Sequence, residues 1–305
     1  MKLLVVIAAL VAVCASSAIS PDFFKSNEVD YEAIPEIPGD NSHYVEGKSR
    51  FIWMLDGKGV YQLIDLHEPV NESALSRTGQ FNHYWLFTRQ NPTNPQVLIN
   101  GIPHILWESN FDRTRPVFVL VHDHLSSGSS EFNTLITSAV LAVLNANVIV
   151  VDWSLVAYDM NYNTVVAAVP GVGQAVGSFL VWLMTTTSAS WGTVHLVGHG
   201  VGAHIVGRAG QQAGRRANRV TGLDPAGPGF RGNSTLTSTA GGYVEGIHTD
   251  GDLLGIFTRV GNGDFYPNGG RHPQPECRFS SCSHDRAYEL FAASVRNNNF
   301  SARTC

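Results

Sequence analysis

From Trp85 onward the chain alternates short apolar runs with longer stretches whose apolar residues recur at helical spacing. The short runs are rich in β-branched residues and fit buried strands at Val117–Val121, 148–151, 194–197, Arg219–Leu223 and 243–248. Helices are predicted at 130–144, at 165–184 with an interruption at Pro170 and Gly171, at 201–214 and at 283–296. Strands that alternate with helices predict an α/β fold with a mostly parallel sheet covered on both faces.

The N-terminus has the pattern of a signal peptide. Lys2 precedes an apolar run over residues 3–13, and small residues at Ser16 and Ala18 suit signal-peptidase cleavage, so residues 1–18 are assigned to a leader of a secreted protein. The run is shorter than the roughly 20 residues of a membrane span, and an uncleaved anchor is the alternative. No later segment is expected to cross a membrane. Residues 19–50 are polar and proline-containing, which predicts an extended arm before one domain over 51–305.

Charge and composition narrow the range of partners. The 305 residues carry 20 Lys and Arg against 25 Asp and Glu, a net charge of −5, and they contain no basic run. This balance argues against nucleic acid as a partner.

Secretion would permit disulfides, and removal of the leader leaves three cysteines, Cys277, Cys282 and Cys305. Cys277 and Cys282 are close enough in sequence to close a small loop, which would leave Cys305 unpaired within the chain. Three asparagines have the form of glycosylation acceptors, namely Asn71, Asn233 and Asn299.

The segment VHLVGHGVG at 194–202 is the most informative part of the chain. A strand leads into a Gly-x-x-x-Gly turn and then into a helix, as in the Gly-x-Ser-x-Gly nucleophile elbow, but the central residue is Gly200. The glycines alone are weak evidence, because any tight turn between a strand and a helix could contain them.

Two later residues, Asp224 and His284, strengthen this interpretation. Asp224 directly follows a predicted strand, and His284 precedes the final helix, which gives the chain order of an α/β-hydrolase triad. In a triad His284 would shuttle the proton and Asp224 would orient its imidazole. Taken singly, Asp224 could be a helix cap and His284 a surface histidine. Together with the turn at Gly200 they indicate the remnant of a triad.

The sequence resembles the pancreatic-lipase family, most closely its insect neutral-lipase and phospholipase-like members. The resemblance rests on six stretches in order, VIVVDWS at 148–154, VHLVGHG at 194–200, GLDPAGP at 222–228, IHTDG at 247–251, DFYPNGG at 264–270 and CSHDR at 282–286. It implies an extracellular serine esterase that acts on lipid esters and has an α/β-hydrolase fold.

The departures from that family concern the catalytic residues themselves. Gly200 replaces the nucleophilic serine, and His122-Asp123-His124 stands where the family usually has His-Gly-Phe. The resemblance implies an oxyanion hole formed by backbone N–H groups of that loop, at His124, and of Val201. The carboxylate of Asp123 has the wrong charge beside a developing oxyanion.

Other family features also differ. The segment TLTSTA at 235–240 lacks the carboxylates that bind calcium in relatives, so no metal and no other cofactor is expected. The lid between the two cysteines is reduced to residues 278–281, and no C-terminal β-sandwich domain is expected.

These observations favour a secreted lipase-family protein that is inactive or severely impaired and that keeps a lipid-binding or apolar-ligand carrier role. The alternative is an active carboxylic ester hydrolase of triacylglycerol-lipase or phospholipase A1 type, acting in lipid catabolism. A third hypothesis is an interaction protein that uses its arm. The expected partner is a lipid or an apolar small molecule, with association at a lipid surface but no integral membrane segment.

The same reasoning predicts a specific arrangement of the site. Asp224 and His284 should face each other beside Gly200, with the nucleophile position empty. Gly200→Ser should then restore part of an esterase activity, and Asp123→Gly should improve it further.

Overall fold

The computed structural model describes residues 34–75, 78–297 and 300–303. The predicted signal peptide at 1–18, the first part of the predicted arm, Asn299 and Cys305 lie outside the described residues.

The fold is built on one large sheet with a separate hairpin. The strands are β1 Phe51–Leu55, β2 Tyr61–Asp65, β3 His83–Phe87, β4 Gln96–Leu98, β5 Val117–Val121, β6 Asn147–Asp152, β7 Val194–His199, β8 Arg219–Leu223, β9 Tyr243–Ile247 and β10 Gly263–Phe265. Strands β1 and β2 form the antiparallel hairpin, and the other eight form a sheet in the order β10-β9-β8-β7-β5-β6-β3-β4. The pairings from β6 through β10 are parallel, whereas β3 pairs antiparallel with both β6 and β4.

The central strands are those that the apolar runs predicted. Every residue of β5, β6 and β7 is buried, as expected where helices cover both faces of a parallel sheet. The predicted α/β class is therefore confirmed. Sequence analysis missed β1–β4 and β10, whose burial is partial and whose lengths reach only three to five residues.

Helices cover the sheet in two layers. Their bounds are α1 Glu72–Leu75, α2 Pro103–Trp107, α3 Glu131–Val143, α4 Ser154–Ala157, α5 Tyr162–Thr187, α6 Val201–Gln212 and α7 Ser280–Asn297, with 3₁₀ turns at Trp191–Thr193, Gly232–Ser234 and Pro267–Gly269. One apolar cluster joins α5 and α6 to the sheet, and a second joins α3 and α7 to it. The residues of the predicted site lie at the edge of the sheet where β7 and β8 end and α6 begins.

The interruption predicted at Pro170 is wrong, because α5 continues through it from Tyr162 to Thr187. Pro170 is exposed, so its ring points away from the sheet, while buried residues on either side hold the helix in place. Burial of these apolar side chains outweighs the one hydrogen bond that a proline removes. Gly171 has a separate role, since a Cβ there would lie 2.4 Å from the Thr78 hydroxyl.

Helix α5 is also long and apolar enough to cross a membrane, contrary to the expectation that no such segment follows the leader. Within its most apolar window, 56% of the helix is buried inside the protein. This burial fits a core helix, whose apolar surface is already covered by the sheet and by α6.

Residues 35–50 correct the prediction of an extended arm outside the core. Tyr44 is 6% exposed and belongs to the larger apolar cluster. The amide of Asn41 is also buried, donating to the Trp53 carbonyl at 2.9 Å and accepting from the Trp53 N–H at 2.8 Å. This part of the chain is thus attached to β1 by paired hydrogen bonds and belongs to the folded domain.

Candidate functional site

The turn between β7 and α6 has the geometry that the glycine pattern predicted. Gly200 has φ +53° and ψ −117°, and α6 begins at the next residue. A Cβ at Gly198 would lie 2.1 Å from the Gly202 carbonyl oxygen, and one at Gly202 would lie 2.2 Å from that of Val121. Strand and helix approach so closely that neither flanking position has room for a side chain.

Asp224 and His284 meet beside this turn. Asp224 follows β8, has φ +39° and is completely buried. One of its carboxylate oxygens, Oδ2, accepts a hydrogen bond from Nδ1 of His284 at 2.6 Å, and the other accepts from the backbone N–H groups of Thr249 at 2.7 Å and Asp250 at 3.0 Å. The buried carboxylate thus has a partner at both oxygens, and the imidazole is fixed in orientation.

The nucleophile position beside this pair is not empty, and the prediction of a vacant position is wrong. The side chain of Asp123 fills it: a Cβ built on Gly200 would lie 2.2 Å from the Asp123 carboxyl carbon. The Asp123 Oδ1 accepts from the Val201 N–H at 2.6 Å, and its Oδ2 lies 3.1 Å from Nε2 of His284. One carboxylate therefore engages both the turn's backbone donor and the imidazole nitrogen that would face a nucleophile.

The opposite charges of His284 and of the two carboxylates, Asp123 and Asp224, stabilise one another. Burial alone would lower the pKa of His284, but hydrogen bonds and negative charges from Asp123 and Asp224 outweigh it and raise the pKa well above its ordinary value. Burial would raise the pKa of Asp123, yet the contacts with His284 and Val201 hold it well below its ordinary value. At neutral pH the imidazole is a cation between two carboxylates, and a protonated imidazole cannot accept a proton from a nucleophile.

The loop after β5 is fixed by His122 and Trp153. His122 is fully buried, and its Nδ1–H donates to the Asp123 carbonyl at 2.9 Å, while its Nε2 accepts from the Trp153 backbone N–H at 3.3 Å. The Trp153 indole N–H donates to the His122 carbonyl at 2.9 Å. These bonds hold the backbone of Asp123 so that its side chain points over the turn at Gly200.

His124, predicted as part of the oxyanion loop, uses its side chain elsewhere. Its Nε2–H donates to the Asp159 carbonyl at 2.9 Å, and Nδ1 lies 3.4 Å from the Met54 sulfur. The predicted oxyanion donor at Val201 is present but already bonded to Asp123.

Two buried groups near the site were not selected by sequence analysis. The ring centroid of His199 lies 4.4 Å from that of His284, and burial together with the positive charge of His284 lowers the pKa of His199 to about 4. Asp250 is fully buried, and burial together with the Asp224 charge raises its pKa to about 8. His199 lies in the motif GHG and Asp250 in the motif IHTDG, but the sequence does not indicate which way either side chain points.

A third buried histidine has a structural place on α6. His204 donates from Nε2 to the Ala226 carbonyl at 2.8 Å and accepts at Nδ1 from the Leu236 N–H at 2.9 Å. Burial lowers the pKa of His204 to about 4. The neutral ring thus joins the loop after β8 to the segment that follows it.

The remaining predicted residues lie outside this cluster. Cys277 and Cys282 form the predicted disulfide at the start of α7. Asn71 is exposed, as a glycosylation acceptor must be, and Asn233 lies in the 3₁₀ turn Gly232–Ser234. Glycosylation stays a prediction at these positions.

Two cavities are relevant to ligand binding. A cavity of about 210 Å³ lies over Asp123, His199 and His284. A second cavity, of about 950 Å³, lies against α7. Its lining is mixed, with the apolar residues Phe118, Val143, Leu290, Phe291 and Phe265 and the charged residues Arg219, Glu245, Asp264 and Arg303. Only the second reaches the range of roughly 300–1,000 Å³ typical of small-molecule sites.

The parallel sheet, the strand-turn-helix at Gly200 and the following Asp224 and His284 define an α/β-hydrolase fold. Residues 61–305 match the family described as Lipase, and the chain belongs to that family. It is 30% identical to human pancreatic lipase-related protein 2 over 260 residues, which cover 76% of this chain and 55% of the relative.

Two further relatives show similar values. Rat hepatic triacylglycerol lipase is 34% identical over 230 residues, covering 65% of this chain and 46% of the relative. Bovine lipoprotein lipase is 32% identical over 228 residues, covering 66% of this chain and 47% of the relative. The chain spans about half the length of these curated relatives.

Proposed function

We propose that this protein is a lipase-family member that has lost ester hydrolysis and binds a lipid or another apolar small molecule. The observation that supports the loss of ester hydrolysis is the position of Asp123. Its carboxylate occupies the space of a nucleophilic side chain, accepts the backbone N–H of Val201 and contacts Nε2 of His284.

Each of these contacts removes one requirement of acyl transfer. Gly200 has no nucleophilic atom, and the residue that takes its place presents a negative charge. A tetrahedral intermediate needs free donors for its oxyanion, and one such donor is worth about 10²–10³-fold in turnover. The Val201 donor is already used by a carboxylate that an ester oxygen would have to displace.

The proposal that the protein binds an apolar ligand is supported by the larger cavity. Its volume of about 950 Å³ suits a small lipid, and aromatic and aliphatic side chains of α7 and β5 line its wall. The similar proteins include a hepatic triacylglycerol lipase and a lipoprotein lipase, which suggests a lipid as the ligand class. A lipid surface is a compatible place of action.

Secretion is part of the same proposal. The pattern of residues 1–18 and the Cys277–Cys282 disulfide both suit an extracellular protein. The assignment to the insect neutral-lipase and phospholipase branch rests on the sequence motifs alone.

Hydrolysis is tested with purified protein on short-chain and long-chain acyl esters in the presence of a metal chelator. We expect wild-type turnover equal to that of His284→Ala, because neither protein has a working nucleophile. Turnover by the wild type that disappears in His284→Ala would establish the alternative, an active lipase or phospholipase A1. That alternative requires Asp123 to leave its present position.

Ligand binding is tested by extracting lipids from the natively purified protein and identifying them by mass spectrometry. Leu290→Trp narrows the larger cavity and should reduce the amount of ligand that co-purifies. Leu155→Trp is the matched control, since Leu155 is 69% exposed and lies away from that cavity. Equal retention by both variants, or no ligand in the wild type, would refute the binding role.

A further inference from the structure

Three potential ligands for a metal ion converge on the smaller cavity. Asp123, His199 and His284 each present one donor atom, and the three atoms lie within 4.8 Å of one another. Two imidazoles and one carboxylate form a ligand set that zinc uses at sites that keep one coordination position open. We propose that these side chains bind a zinc ion whose open position faces the cavity.

The distances suit a small cation. The Asp123 Oδ2 and the His284 Nε2 are 3.1 Å apart. Tetrahedral zinc with bonds of about 2.0–2.1 Å separates adjacent ligand atoms by roughly 3.3 Å, so this pair already has the required spacing. The His199 donor atom lies within 4.8 Å of the other two, so its distances to them have to shorten by up to about 1.5 Å to complete the set.

Hydrogen bonds to neighbouring groups fix the orientation of the three proposed ligand side chains. The His284 Nδ1 is bonded to the Asp224 carboxylate at 2.6 Å, which is the carboxylate–histidine arrangement common behind zinc. The Nε2 of His199 lies 3.2 Å from the His284 carbonyl, a contact that fixes the orientation of the His199 ring. The Val201 N–H fixes one oxygen of Asp123 at 2.6 Å and leaves the second oxygen directed at His284.

The charges and the donor chemistry favour zinc over calcium or magnesium. Asp123 and Asp224 supply two negative charges around one divalent ion, which balances its charge inside a largely buried site. Calcium and magnesium prefer shells of oxygen ligands, whereas imidazole nitrogen suits zinc. Zinc would also take over the role of the proton that now lies between His284 and Asp123.

This inference concerns metal binding and is independent of the loss of ester hydrolysis. The hydrolysis assay above uses chelated protein, so a failure of one proposal leaves the other unaffected. Zinc binding is measured by calorimetric titration of the whole chain after chelator treatment. The expected result is one zinc ion per chain.

Variants assign the ion to this site. His199→Ala and Asp123→Asn each remove a ligand and should weaken zinc binding by at least about 100-fold. Asp224→Asn removes only the partner behind His284 and should weaken it by about 10–100-fold. His104→Ala removes an exposed histidine remote from the site and should leave binding unchanged. Circular dichroism should be used to check that each variant is folded. Asp123→Asn is nearly isosteric, so it still tests the site if His199→Ala destabilises the core.

Cobalt provides a second readout that does not depend on affinity. Cobalt bound to two imidazoles and one carboxylate with one open position should show the intense visible absorption of tetrahedral coordination, and this absorption should be lost in His199→Ala. The proposal is overturned by absence of zinc binding in the wild type. It is equally overturned by binding that survives both ligand substitutions, or by a cobalt spectrum that His199→Ala leaves unchanged.

Discussion

The structure makes a sharp prediction about how esterase activity could be restored. Sequence analysis expected Gly200→Ser alone to recover part of the activity. The structure predicts that it recovers none, because the new Cβ would lie 2.2 Å from the carboxyl carbon of Asp123. A serine at φ +53° also carries backbone strain of about 1–3 kcal/mol. Removal of the Asp123 side chain is therefore a precondition for a working nucleophile.

The expected magnitude follows from the contacts of Asp123. In Gly200→Ser/Asp123→Gly the hydroxyl gains space, His284 loses a competing carboxylate, and the Val201 N–H becomes available to an oxyanion. Since one oxyanion donor is worth about 10²–10³-fold, the double variant should exceed each single variant by at least about 100-fold in kcat/KM. This corresponds to a coupling of about 2.7 kcal/mol between the two positions.

The assay is hydrolysis of short-chain acyl esters by the wild type, both single variants and the double variant, with a chelator present. Adding His284→Ala to the double variant is the control and should return turnover to the background. Two results would contradict the reasoning. One is a Gly200→Ser variant as active as the double variant, and the other is a folded double variant no faster than its His284→Ala derivative.

Three further predictions concern the stability of the fold, each measured as the free energy of unfolding in denaturant. His204 has a pKa of about 4 in the folded protein and about 6.5 in the unfolded chain, so only the unfolded chain takes up the proton between these pH values. The free energy of unfolding should therefore fall by up to about 3 kcal/mol as the pH drops from about 6.5 to about 4. His204→Gln should remove this part of the pH dependence of stability, and an unchanged pH dependence would contradict the prediction. Asp264→Ala removes the carboxylate that lies 2.8 Å from Nε2 of His248, in a contact where both side chains are at most 1% exposed, and it should cost about 3–5 kcal/mol, whereas a loss below 1 kcal/mol would show that the pair is dispensable. Cys282→Ser opens the small Cys277–Cys282 loop and should cost about 2 kcal/mol, with reductant destabilising the wild type but not the variant.

The parts of the fold that the sequence predicted are those where local pattern and burial agree. Strands such as Val117–Val121 are buried at every position, so the apolar run in the sequence directly reflects their environment. The antiparallel strands and the hairpin were missed because they are half-buried and short. Pro170 misled the prediction of α5, because packing of the helix against the sheet decides its continuity and a single residue does not.

The structure brings the predicted site residues together, but a side chain that the sequence did not indicate occupies the nucleophile position. The positions of Gly200, Asp224 and His284 follow from the ends of strands and the start of a helix, which sequence motifs describe well. Asp123 was recognised as an unfavourable charge near the oxyanion hole, but sequence could not show that its side chain turns across to His284. His199 was missed for the same reason, since a rotamer inside a cavity depends on neighbours remote in sequence.

The contacts of Asp123 indicate that Gly200 and Asp123 form one structural unit. Loss of a serine hydroxyl alone would leave space beside His284, and a small side chain such as alanine could occupy position 200. Here no side chain fits, because any Cβ would overlap a carboxylate that is held on both oxygens by Val201 and His284. Glycine is thus required at the turn for as long as Asp123 bridges to His284. A carboxylate–imidazole bridge therefore occupies the position at which the triad pattern places a nucleophile, and it leaves no room for a side chain at position 200.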